Sequence, residues 1–284
     1  MSRVAPLVEY LEQLQAKGET HVSLDAGARE IMRKFYVRAV YGEQKPTVAA
    51  PLEDKPQASK SQNTLSTVAS LEKVQGGSYS EIIAKLKGAC ANYGPLKQLG
   101  TLRTVLVFPT VPERAEIMFV GDAPAYHDEK KGMPFAGPAG EKLNGILKAM
   151  NLSRQMVHVS NILKYRPALP NQTTNNRLAS EAELATSKPL IDQEIQAIKP
   201  KVIVTLGQVA GSFFSGSDAD IDSIRQGKYE YLGIPVIPTY HPSFLLHSQE
   251  TSDKRALWED MLKVMELLSM PISDKQRGYF VPKG

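Results

Sequence analysis

Apolar positions in this chain fall into short blocks separated by longer amphipathic stretches. Ile117-Met118-Phe119-Val120 ends at Gly121, and Val157-His158-Val159-Ser160-Asn161 forms a second run. Val202-Ile203-Val204-Thr205-Leu206 ends at Gly207, and Pro235-Val236-Ile237-Pro238 is a fourth. Runs of this length, bounded by Gly or Pro, read as buried strands rather than helices. Between and after them, residues 140–150, 181–198, 208–214 and 254–268 repeat apolar side chains at helical spacing. Strands alternating with helices need crossover connections. The pattern therefore predicts an α/β fold: a three-layer α/β/α sandwich on a mostly parallel four-stranded sheet. Such sheets bind ligands beyond the carboxyl ends of their strands, which directs attention to the segments starting at Gly121, Asn161, Gly207 and Thr239.

The beginning of the chain has a different character. Residues 7–14 and 25–40 carry helical spacing, the second with Ile31 and Phe35 on one face and Arg29, Arg33, Lys34 and Arg38 around it. This predicts an N-terminal helical module over residues 1–41. Two short helices bury little by themselves, so the module is expected to dock, and it offers a site for a protein partner. Residues 42–78 are rich in Pro, Ala, Ser, Thr, Gln and Lys and poor in aromatics, which reads as a flexible linker. The remaining residues, 79–284, form the main domain.

Composition narrows the function classes. Of 284 residues, 42% are hydrophobic and 23% charged, an ordinary globular balance. Lys and Arg number 34 against 30 Asp and Glu, a net charge of +4 that permits a nucleic-acid partner without requiring one. A single cysteine excludes a disulfide framework or a metal site built on several thiolates. No apolar run approaches the roughly 20 residues of a membrane span. Met1-Ser2-Arg3-Val4-Ala5-Pro6 lacks the layout of a signal peptide. The expectation is a cytoplasmic monomer with no membrane attachment.

Two segments carry chemistry. The first is Gly121-Asp122-Ala123-Pro124-Ala125-Tyr126-His127-Asp128-Glu129, continuing to Met133-Pro134-Phe135-Ala136-Gly137-Pro138-Ala139-Gly140. A carboxylate directly after a strand suits electrostatic or general-base work, and the glycines lead tightly into a helix N-terminus. A plain strand–loop–helix connection would use the same residue types. The second segment is Thr239-Tyr240-His241-Pro242-Ser243-Phe244-Leu245-Leu246-His247, a histidine at a strand end followed by an apolar loop. Apolar loop tips are the tools proteins wedge between stacked bases.

With Asn161-Ile162-Leu163-Lys164-Tyr165-Arg166-Pro167 between them, these segments resemble the uracil-DNA glycosylase superfamily, most closely its family 4 enzymes. Those carry Gly-Glu-Ala-Pro-Gly, Gly-x-Pro-Phe-x-Gly-x-Ala-Gly, Asn-x-x-Lys-Cys-Arg-Pro and His-Pro-Ser/Ala in this order. The resemblance runs from Cys90 to Leu268 and leaves the first part of the chain outside. It implies a DNA repair glycosylase that hydrolyses the N-glycosidic bond of a uracil flipped out of DNA. Such a reaction needs negative charge near an oxocarbenium-like sugar and donors at the departing base.

By that resemblance, Asp122 and His241 are catalytic, and Asp128 is an auxiliary carboxylate. Gly121, Ala123, Phe135 and Asn161 would form the base-binding slot, with Phe135 stacking and Asn161 reading the O4 and N3 edge. Ser243, Leu245 and Leu246 would fill the space the base vacates. Lys164, Arg166, Lys254 and Arg255, with Lys130 and Lys131, would meet phosphates. Uracil-containing DNA is the expected partner. A related enzyme with shifted base preference, such as hypoxanthine, and a non-hydrolytic DNA-binding protein are the alternatives.

Departures from the family pattern matter as much. Asp122 stands where the family has Glu, and Ala125 where it has Gly. Family 4 enzymes hold a four-iron cluster on four cysteines. Here only Cys90 matches, with Tyr93, Tyr165 and Ser187 at the other places. Phenol and hydroxyl oxygens substitute poorly for thiolates, so no metal or cofactor is expected.

Overall fold

The computed structural model describes residues 77–109, 115–248 and 250–281. The N-terminal helical module over 1–41 and nearly all of the linker over 42–78 lie outside the described residues. The first element is α1 (Tyr79–Asn92), opened by a capping box in which Ser78 and Glu81 satisfy each other's backbone N–H groups. After the short α2 (Gly94–Gln98) comes β1 (Leu102–Leu106), followed by β2 (Ile117–Gly121), α3 (Tyr126–Lys131) and α4 (Pro138–Ala149). A 3-10 turn over Arg154–Met156 leads into β3 (His158–Asn161) and β4 (Tyr165–Pro167). Then follow α5 (Glu181–Ile198), β5 (Val202–Leu206), α6 (Gln208–Ser215), α7 (Ile221–Ile224), β6 (Tyr229–Tyr231) and β7 (Ile234–Thr239). The described chain closes with α8 (Phe244–His247), α9 (Thr251–Leu267) and α10 (Asp274–Arg277).

The main sheet has the order β3-β2-β5-β7-β6. Its four parallel strands are the four apolar runs of the sequence, and a fifth strand, β6, pairs antiparallel with β7 at the edge. This extends the expected four-stranded sheet by one. β6 escaped the sequence pattern because it has three residues, too few to show a period. A separate antiparallel ribbon joins β1 to β4, also unanticipated.

Alternation along the central strands explains the layers. Ile117 and Phe119 of β2, with Val202 and Val204 of β5, face one core, covered by Leu143 and Leu147 of α4 and by Trp258, Met261 and Met265 of α9. Met118 and Val120, with Ile203, face the other, covered by Ile191 and Ile195 of α5 and Phe214 of α6. Both faces of each strand are buried, so the strands read as unbroken apolar runs. A third cluster packs Leu86 and Cys90 of α1, with Tyr93 and Leu96, against Phe108, Tyr165 and Leu190. Among the described residues, no helix is long and apolar enough to cross a membrane.

Candidate active site

Asp122, Asn161, Gly207 and His241 all lie at the carboxyl ends of adjacent parallel strands. Gly121 and Asn161 are register partners across β2 and β3. Pairing continues past the strands, where the Ile162 and Leu163 N–H groups donate to the Gly121 and Asp122 carbonyls at 2.9 Å. Asp122 therefore leaves the sheet on a backbone held from the β3 side.

Two side chains pack closely against the bare Cα of Gly121. A methyl built on its Cα would stand 2.5 Å from Asn161 Oδ1 and 2.8 Å from Phe135 Cζ. An amide and an aromatic ring thus close on one strand-end position that lacks a side chain. Asn161 is 3% exposed and its Nδ2 has no hydrogen-bond partner among the described residues. A buried donor left unpaired is costly unless a ligand supplies the acceptor.

The loop bearing Phe135 is held from several directions. Phe135 adopts φ 52°, a left-handed conformation that a bulky residue keeps only when its surroundings impose it. Behind it, a Cβ on Gly140 would fall 1.7 Å from the Phe135 carbonyl oxygen, so only glycine fits. Arg154 donates to the neighbouring Pro134 carbonyl. Asp128, buried, accepts from the Ala136 N–H at 2.7 Å and from the Ala125 N–H at 3.1 Å. Its two oxygens clamp both ends of the loop. Asp128, expected as an auxiliary carboxylate, thus holds the loop through both oxygens while its charge acts on Asp122 and His241. Ala123 is half-buried and packs on the core beneath α5 and α6.

His241 crosses the end of β5 at Gly207, whose φ is +92° and whose added Cβ would lie 2.9 Å from His241 Cβ. Its ring centroid is 5.5 Å from that of Phe135. The Ser243 N–H, which can only donate, points at Nδ1 at 3.1 Å, and Ser243 Oγ lies 2.6 Å from the same atom. Nδ1 is therefore an acceptor, and a neutral ring carries its proton on Nε2. Burial pushes the His241 imidazole below its usual range, with the Asp122 and Asp128 charges opposing the shift. Burial likewise pushes the Asp122 carboxyl up, and the nearby His241 pulls it back. Burial thus favours the neutral form of each group, and the mutual attraction of their charges opposes both shifts.

Ser243, expected in the DNA-filling loop, also holds the His241 ring at Nδ1. In the same loop, Leu245 packs on the core under α4 and α9, while Leu246 and Phe244 are 36% and 38% exposed. Leu246 is the outward side chain of the expected pair. The phosphate candidates divide sharply. Lys130 and Lys131 are exposed at the end of α3, and Lys254 is half-buried on α9. Lys164 and Arg166 are each 1% exposed, so neither reaches a phosphate. Lys164 pairs with Glu194, and Arg166 pairs with Glu129 and donates to the Thr173 and Asn175 carbonyls. Arg255 is spent on Glu259 and on the Arg277 and Tyr279 carbonyls.

Sequence reasoning missed Arg154 and Asp260. Asp260 is fully buried and accepts from Thr239 Oγ1 at 2.8 Å and Arg225 Nε at 2.6 Å, fixing the end of β7 just before His241. Its place in the Trp258-Glu259-Asp260 stretch, one charge on the buried face of an amphipathic helix, was the available signal.

Asp122, Asn161, Phe135 and His241 thus gather at the strand ends of a three-layer sandwich, where such sheets place their ligand sites. A model of the uracil DNA glycosylase superfamily matches residues 108–262, just over half of the chain, and the chain belongs to that superfamily. It is 37% identical over 167 residues to a Type-4 uracil-DNA glycosylase of Sulfurisphaera tokodaii, covering 56% of this chain and 72% of the relative. A Type-4 uracil-DNA glycosylase of Thermotoga maritima is 36% identical over 154 residues, covering 54% and 77%.

The residues at the family's cluster positions do not fit an iron–sulfur group. Cys90 is 2% exposed, and burial pushes its thiol up to about 12, so it is held as the thiol rather than the thiolate such iron binds. Tyr93 and Tyr165 pack beside it with Leu86, Leu96 and Phe108, and the Tyr165 hydroxyl donates to the Cys90 carbonyl at 3.3 Å. The buried Ser187 hydroxyl has no hydrogen-bond partner among the described residues. Aromatic packing ties β4 to α1 at the positions where the family has cysteines.

Proposed function

We propose that this chain excises uracil from DNA through Asp122, Asn161 and His241, with Phe135 as the stacking wall. The single observation that carries the reading is the closure of Asn161 and Phe135 on the bare Cα of Gly121, with an unpaired amide donor in the slot. A uracil rotated out of the duplex would stack on Phe135 and give its O4 to Asn161 Nδ2. Asn161 Oδ1 would accept from N3–H, a donor that cytosine lacks. As the glycosidic bond stretches, negative charge builds on the base and His241 Nε2–H donates to O2. Ionised Asp122 faces the sugar side, where it stabilises the oxocarbenium-like centre and orients the attacking water. Leu246 enters the stack the base has left, and Lys130 and Lys131 meet the backbone.

The test measures base release from single- and double-stranded oligonucleotides bearing uracil or hypoxanthine, beside DNA binding over a range of salt. Uracil release that Asp122→Asn and His241→Ala depress about 100-fold or more, with binding retained, is the expected result. Hypoxanthine release alone would shift the substrate. Binding without release would leave a DNA-binding protein.

A further inference from the structure

Asn161 ends β3, the outermost strand of the main sheet, so the sheet holds it on one side only. Among the described residues its side-chain donor has no partner to fix it. Something else must set where the amide points. On the open side lies Lys164, 1% exposed, whose ammonium donates to the Asn161 carbonyl at 2.6 Å, to Ser160 Oγ at 2.6 Å and to Glu194. All three ammonium protons are used. Glu194 is itself oriented by His158, whose Nε2 lies 2.7 Å from its other oxygen, and His158 Nδ1 lies 2.9 Å from the Tyr79 hydroxyl. Burial alone would raise the Glu194 carboxyl, but Lys164 and His158 overcome it and hold the group at about 2.

A buried ion pair contributes little net stability over a well-packed apolar pair, because desolvation offsets the attraction. What this one adds is a fixed point at the backbone of the residue in the slot. We propose that Lys164 and Glu194 are positioning residues for base recognition, acting through the Asn161 backbone to aim its amide. This rests on the reading of Asn161 as the uracil reader.

The experiment is a mutant cycle on the full chain, with single-turnover uracil release, melting temperature and nitrogen-edited NMR of the side-chain amides. Lys164→Met alone strands the Glu194 charge and is expected to lower the melting temperature. Lys164→Met/Glu194→Gln removes both charges and is expected to recover it. The double variant should still release uracil about 100-fold more slowly, the cost of a displacement near 1 Å at a reacting site. Added to Asn161→Ala, the same pair should cost no further rate, because its effect passes through that side chain. The Asn161 amide resonances should broaden or split in the double variant. A double variant with full uracil release, or losses that multiply with Asn161→Ala, would overturn the proposal. So would an unfolded double variant, which would show the pair to be structural. Absence of uracil release by the intact chain would instead sink the reading of the site. The amide resonances would still report whether the pair orients Asn161.

Discussion

Adding one methyl at Gly121 tests the slot directly. In Gly121→Ala the new Cβ would sit 2.5 Å from Asn161 Oδ1, where ordinary contact begins at 3.4 Å, so about 0.9 Å must be recovered. The Phe135 ring, 2.8 Å away at Cζ, must yield about 0.6 Å by the same measure. The backbone at Gly121 is not left-handed, so the effect is steric rather than conformational. Asn161 cannot retreat as a unit, because its carbonyl is tied to Lys164 and the loop after it to β2. Its side chain must turn, and Phe135 is braced by Gly140 and Asp128 through its own loop. Overpacking of this kind costs about 1–3 kcal/mol of stability. A misplacement approaching 1 Å costs about 100-fold in rate. Single-turnover uracil release should therefore fall about 100-fold while binding to undamaged duplex is unchanged. Gly145→Ala is the control: nothing lies within 4 Å of its added Cβ on exposed α4, so it should gain about 0.5–1 kcal/mol and keep full activity. Full uracil release by Gly121→Ala would refute the slot, since no base could share the space with the methyl.

Cleavage needs Asp122 ionised and His241 neutral, and both states are lost as pH falls. With Asp122 raised and His241 lowered from their usual ranges, the single-turnover rate should fall on acidification with a midpoint above 3.8. A rate that rises as pH falls would exclude this assignment of protonation states. Leu246→Ala should slow release from duplex about 10-fold and leave single strands unaffected, because only a duplex has a stack to refill. Equal loss on both substrates would remove it from that role. Cys90→Ser should cost about 1–3 kcal/mol by burying a hydroxyl, seen in denaturant melts, and leave activity intact. Protein prepared without oxygen should be colourless, and a brown colour lost with Cys90→Ser would reverse the reading of this cluster. A shortened chain starting at Gly77, which keeps the Ser78 cap of α1, should fold and release uracil. An insoluble product would show that residues before it complete the core.

The sequence by itself determined the layered core. Phe119 and Val120 need opposite faces of one buried strand, and the helical spacing of 181–198 supplies a cover, so local periodicity and burial suffice. The order of motifs also placed Asp122, Asn161 and His241 at strand ends, because a parallel sheet brings all its carboxyl ends to one side. Other features depended on partners distant in the chain. Lys164 and Arg166 read as surface cations because the sequence does not show Glu194 and Glu129 closing over them from other elements. Asp128 reads as an auxiliary carboxylate and Ser243 as part of the DNA-filling loop, because the sequence does not show that their oxygens also hold the loop and the imidazole. The three-residue strands β4 and β6 carry too few positions to show a period, and their pairing is decided by neighbours across the fold. Charge and hydroxyl chemistry are legible in a sequence. Whether such a group faces water, backbone or substrate is set by burial, which long-range packing decides.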